Sequence, residues 1–78
     1  MNKSKHKQSY KELLEIMSST GITNSELQEE LNLSRRKVSY LILKIRELGV
    51  IIRNEYIGVV VYYSVENMER VRELRSLI

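Results

Sequence analysis

Cysteine, aspartate, proline, tryptophan and phenylalanine are all absent from this 78-residue chain. Without cysteine there can be no disulfide and no thiolate metal site. Histidine occurs once, as His6 in a lysine-rich start. A catalytic triad, a Cys/His zinc site and a carboxylate–histidine relay are therefore not expected within one chain. Glycine is scarce as well. Gly21, Gly49 and Gly58 stand far apart, so there is no glycine-rich loop to cradle a phosphate. An enzyme is thus the weakest of the function classes, and no cofactor is expected. No apolar run approaches the roughly 20 residues that span a bilayer. The opening MNKSKHKQSYK is basic with no apolar segment behind it, so it does not read as a signal peptide. The compartment expected by default is the cytoplasm.

Hydrophobic residues make up 42% of the chain, enough for a globular core. The length suits one small domain with a thin margin of stability. The formal net charge is a mild +3, and its distribution says more than its sum. Lys3, Lys5, Lys7 and Lys11 precede the first acid, Glu12. Residues 23–33 carry Glu26, Glu29 and Glu30 and no base. Residues 34–49 carry Arg35, Arg36, Lys37, Lys44 and Arg46 against Glu47 alone. Two basic zones of this kind are the electrostatic footprint of a nucleic-acid partner, although solvated surface can look the same.

Ser9-Tyr-Lys-Glu12 has the form of a capping box, and Tyr10, Leu13, Leu14 and Met17 follow at helical spacing. This predicts a first helix over 9–19 behind a basic flexible tail, 1–8. Gly21 ends the segment, and Ile22 stands alone as a one- or two-residue strand. Thr23-Asn-Ser-Glu26 is a second capping box, with Leu27 and Leu31 on one face, so a second helix is expected over 24–31. Asn32 can stop it in the left-handed region. Ser34 is placed to cap a third helix over 35–48, and Gly49 sits where a C′ glycine belongs. Val38, Leu41, Ile42, Ile45 and Leu48 form its apolar stripe. The period then changes. Two β-branched and aromatic runs flank Gly58, predicting a hairpin over 50–55 and 59–65. Tyr62 and Tyr63 must fall on opposite faces of its second strand, one of them in the core. From 66 to 78 the helical period returns. The expected class is mainly α with a small β-hairpin (α+β). The turn between helices 2 and 3 has helix-turn-helix spacing.

The run GITNSELQEELNLSRRKVSYLILKIRELGVI resembles the helix-turn-helix core of winged-helix transcription regulators. The run GVVVYYSV resembles the second wing strand of the arsenic-repressor-type (ArsR-like) branch, and MarR-type regulators are similar. The most specific parts are Leu33-Ser34, Val38-Ser39, Arg46-Glu47-x-Gly49-Val50-Ile51 and Val61-Tyr62-Tyr63-Ser64. The resemblance covers residues 9–65 and implies the order α, short β, α, α, β, β, α. It also implies a third helix lying in the major groove of double-stranded DNA. The positions this carries over are Ser34, Arg35, Arg36, Lys37, Ser39, Tyr40 and Lys44, with Arg53 and Asn54 from the wing. Periodicity agrees in part: a helix that buries 38, 41, 42, 45 and 48 turns 36, 37, 40 and 44 outward. Arg35, Arg36 and Lys37 also sit at the helix end where cations cost roughly 0.3–1 kcal/mol each. That points to a role other than helix stability.

Two departures from the resemblance matter. Metal ligands of the ArsR-like kind are missing, so metal sensing is not expected. The wing tip reads Asn54-Glu55-Tyr56-Ile57, and Glu55 would repel a phosphate backbone. Winged helices that bind Z-form nucleic acid use a Pro and a Trp in the wing, and this chain has neither. Met68, Val71, Leu74 and Ile78 form the stripe of the last helix. It either covers the monomer's own core or supplies half of a dimer seam. The apolar hairpin favours a homodimer, built from helix 4 and helix 1 and acting on a pseudo-palindromic site. The leading reading is a sequence-specific DNA-binding regulator, acting most simply as a repressor. The alternatives are a protein–protein module and a nucleic-acid binder without sequence preference.

Overall fold

A computed structural model describes residues 2–77, with side chains from Ser9 onward. Four helices and three short strands alternate as α1 (Asn2–Ile16), β1 (Ile22–Thr23), α2 (Asn24–Leu31), α3 (Arg35–Glu47), β2 (Ile52–Ile57), β3 (Val60–Val65) and α4 (Met68–Leu77). The sheet is antiparallel, in the order β1-β3-β2. This is the α+β class and the element order expected from the sequence.

Local chemistry sets the central helices. Thr23 Oγ1 accepts from the Glu26 N–H at 3.0 Å, and the Thr23 N–H donates to Glu26 Oε1 at 2.9 Å. This completes the capping box at the start of α2. Asn32 ends that helix at φ 54. Ser34 Oγ then accepts from the Lys37 N–H at 3.2 Å and opens α3. At the far end of α3, the Gly49 N–H bonds the Arg46 carbonyl and the Val50 N–H bonds the Ile45 carbonyl. This pair of bonds is a Schellman motif, and it requires the positive φ of Gly49 (+100°). Thr23→Ala removes one side-chain acceptor at an orphan N–H, which costs about 1 kcal/mol. We expect thermal unfolding followed by circular dichroism to show Tm lower by about 4–8 °C.

Helix α1 departs from expectation at both ends. It runs through Ser9, so Ser9 and Glu12 are not a capping box, and residues 2–8, expected as a flexible tail, continue the helix. A capping-box pattern is only a local option, and nothing in the preceding residues, free of Pro and Gly, opposes helix. The helix stops at Ile16 and not at 19. The Ser18 carbonyl accepts from the Val65 N–H at 2.9 Å, which draws this segment to β3. Ser18 and Thr20 also bond each other through their hydroxyls at 2.8 Å, the kind of local bonding that competes with helix.

The hairpin sits nearer its tip than expected. Val50 is held by the Schellman motif, so β2 begins at Ile52 and reaches Ile57. Gly58, at φ +64, takes the first place in a two-residue turn closed by Ile57 and Val60. Glu66 extends the ladder, its N–H donating to the Ile51 carbonyl at 2.9 Å. For that reason α4 starts at Met68 and not at 66. Asn67 ties the junction, accepting from the Ile51 N–H at 2.8 Å and donating to the Gly49 carbonyl at 2.9 Å.

The core lies between the helices and the inner face of the sheet. Leu13, Leu14, Leu27, Leu41 and Ile45 are among its fully buried members. Leu48, expected in the α3 stripe, is the C-cap residue and lies exposed. Tyr63 is the core tyrosine of its pair, and Tyr62 is half-buried. The α4 stripe closes the same core. Val71 is 0% exposed, Leu74 is 4% exposed, and Met68 packs against them. Offered as a dimer seam, Val71 and Leu74 have almost no free surface, because they pack into the chain's own core. Ile78 lies outside the described residues.

Candidate nucleic-acid interface

Helix α3 buries Val38, Leu41, Ile42 and Ile45. Its geometry therefore turns Arg36, Ser39, Tyr40, Leu43 and Glu47 away from the core, with Arg35 at the margin. Among the described residues neither Arg35 nor Arg36 makes an ion pair. Both guanidiniums stand in solvent at the positive end of the helix dipole. Ser34 is exposed but already caps the helix.

Tyr40 is 44% exposed and organises the next turn. Lys37 Nζ and Lys44 Nζ lie 5.7 Å and 5.4 Å from its ring centroid, within cation–π range. Both lysines are half-buried by this packing and not fully outward, as periodicity alone had implied. Glu47, above all, holds the Lys44 ammonium pKa above its ordinary value, and the pair stands at 3.5 Å. Exposed pairs of this kind contribute little to stability. Behind Tyr40 lies Tyr10 of α1. Burial, and then the neighbouring Tyr40 phenol, pushes the Tyr10 hydroxyl above the usual tyrosine range. Ser34, Arg36, Lys37 and Tyr40 together line a shallow hollow of about 320 Å³.

A larger groove, about 480 Å³, opens between α2, α3 and the inner face of the hairpin. Arg35 and Ser39 form one wall, Ser25 and Gln28 a second, and Asn54 and Tyr56 a third. Two hydrogen-bond sets hold it open. Gln28 Nε2 donates to Asn24 Oδ1 at 2.7 Å, and Asn24 Nδ2 donates to the Tyr63 hydroxyl at 3.0 Å. Arg46 Nη2 donates to the Ile52 carbonyl at 3.2 Å and to Asn54 Oδ1. Arg46, counted above with the basic zone, thus braces α3 against β2.

Of the residues expected at the site, Ser34, Arg35, Arg36, Lys37, Ser39, Tyr40, Lys44 and Asn54 lie on or beside these two hollows. Arg53 does not join them. It alternates with Asn54 along β2 and so projects from the opposite face of the sheet. Sequence reasoning missed Ser25, Gln28 and Tyr56. The two-residue alternation from Asn54 would have found Tyr56, and the four-residue step from Asn24 would have found Gln28.

No group of three or more His, Cys, Asp or Glu side chains among the described residues could hold a metal ion. No helix among them is long and apolar enough to cross a membrane. Compared with family models, with curated proteins and with solved structures, the chain matches none.

Proposed function

We propose that this chain is a winged helix-turn-helix regulator that reads a specific double-stranded DNA site with α3 in the major groove. The observation that carries this reading is the exposed start of α3, where Arg35 and Arg36, free of ion pairs among the described residues, stand beside Ser39 and Tyr40. Arginine can pair bidentately with O6 and N7 of guanine. Lys37, Lys44 and the Ser34 end of the helix suit phosphates, which set register without reading sequence. The groove between α3 and the hairpin offers the uncharged donors of Gln28, Ser39 and Asn54 to an adjoining strand. In this reading the protein is a cytoplasmic homodimer on a pseudo-palindromic operator and represses by occupying a promoter.

A second reading has one specific observation behind it. The hairpin tip exposes Tyr56, Ile57, Val59 and Val60 together, which suits a protein partner as much as DNA. Selection from a random duplex pool at about 0.15 M salt separates the two. We expect a two-fold-related motif long enough for two half-sites. Binding without an enriched motif would mean backbone recognition alone, and no binding at all would remove the DNA reading.

A further inference from the structure

The sheet order leaves β2 as an edge strand, exposed from Arg53 to Ile57. The direction of its backbone groups follows from the turn. Ile57 and Val60 close a two-residue hairpin and therefore form a hydrogen-bonded pair. Residues 53, 55 and 57 thus spend their N–H and C=O groups on β3. Ile51 keeps this parity, its carbonyl accepting from the Glu66 N–H at 2.9 Å. Ile52, Asn54 and Tyr56 turn theirs outward. The Ile52 carbonyl accordingly meets Arg46 and not β3. Beyond that carbonyl, which keeps a second lone pair, the backbone donors and acceptors of the edge are a template for another strand.

The side chains say which strand fits. The outer face of this edge reads Ile51, Arg53, Glu55, Ile57, with Ile51 55% exposed and Ile57 63% exposed. Reversed, the pattern is its own complement. We propose that two copies of this chain join through β2, antiparallel about a two-fold axis at Asn54, into one six-stranded sheet. Arg53 then faces the partner's Glu55, and Ile51 faces the partner's Ile57, twice over by symmetry. Asn54 meets the partner's Asn54 in a hydrogen-bonded pair, as the outward parity of residue 54 requires. The two Arg–Glu positions become non-hydrogen-bonded pairs, where side chains approach most closely.

Neighbouring registers fail. An axis at 53 or 55 leaves the backbone parity intact but would face Arg with Arg or Glu with Glu. An axis at 52 or 56 would oppose a charge to an isoleucine. The axis at Asn54 stands perpendicular to the sheet, so both α3 helices lie on one side of it. This interface replaces the α4 seam, and its test needs no DNA, so it stands or falls apart from the DNA reading.

The pairing is at the small end of specific interfaces, so sedimentation of the full chain is read over a concentration series. We expect a monomer–dimer equilibrium. Arg53→Glu should raise the dimer dissociation constant about tenfold or more, since it sets Glu against Glu at two positions. The exchange Arg53→Glu with Glu55→Arg should restore it. Asn54→Cys supplies a second measurement, because the only disulfide then possible is between copies. Its Cα spacing across a hydrogen-bonded pair, about 5.5 Å, suits a disulfide. Mild oxidation should link Asn54→Cys and leave Arg72→Cys on α4 unlinked. If a charge variant loses its helical circular dichroism, the cross-link decides alone. A chain that stays monomeric throughout overturns the proposal. So does a dimer indifferent to Arg53→Glu and unlinked through residue 54.

Discussion

Leu41→Ala is expected to leave the domain largely unfolded at 37 °C. Leu41 is fully buried on α3. Removing its side chain costs about 2–5 kcal/mol, the lost transfer energy plus the cavity left behind. Domains of this size hold roughly 0.05–0.15 kcal/mol of stability per residue, so one such loss takes much or all of the total. Denaturant titration followed by circular dichroism should show the midpoint collapse with little change in slope where a folded baseline survives. Leu43→Ala is the matched control. Leu43 lies two residues along the same helix and is 52% exposed, so its truncation should stay within about 0.5 kcal/mol of the parent. Equal losses at the two sites would contradict the helix orientation on which the interface rests.

Arg35→Ala and Arg36→Ala should have opposite effects on binding and on stability. Each arginine that reads a guanine should cost about 1–3 kcal/mol of affinity and relax preference at one base pair. The same truncations remove cations from the positive end of α3, which should raise stability by about 0.3–1 kcal/mol each at low salt. Fluorescence anisotropy on a selected duplex, with thermal unfolding of the free protein, reads both signs. Lys37→Ala should weaken all sequences alike and lower the salt slope by about 1. Arginine variants that bind like the parent would remove α3 from the groove. A parallel fall in stability would mean that the guanidiniums serve the fold instead.

The bounds of α2 and α3 were legible because their signals are local. The Thr23–Glu26 box, the Ser34 cap, Asn32 and Gly49 each act within a few residues of themselves, and each does in the structure what its position implied. The ends of α1 were not legible in the same way. Ser9 offers a cap that the helix does not use, and the Ser18 carbonyl finds its donor on Val65, 47 positions away in sequence. The site was legible to the same extent. Exposure of Arg36 and Tyr40 follows from the spacing of the α3 stripe, which also turned Lys37 and Lys44 outward, where the structure has them half-buried. The roles of Arg46, which braces the hairpin, and of Tyr10, which backs Tyr40, depend on elements that meet only after folding.

By itself, then, the amino-acid sequence determined the helices, the hairpin turn and the charged face of α3, because capping, glycine conformation and apolar period are short-range properties. Tertiary structure alone decided which surfaces remain open. The period of Val71 and Leu74 says that α4 has an apolar side. Only packing shows that the chain's own core consumes it. The alternation of Arg53 and Glu55 is plain in the sequence, but its meaning depends on β2 lying at the sheet edge. Strand order arises from contacts between distant segments, and no local preference encodes it.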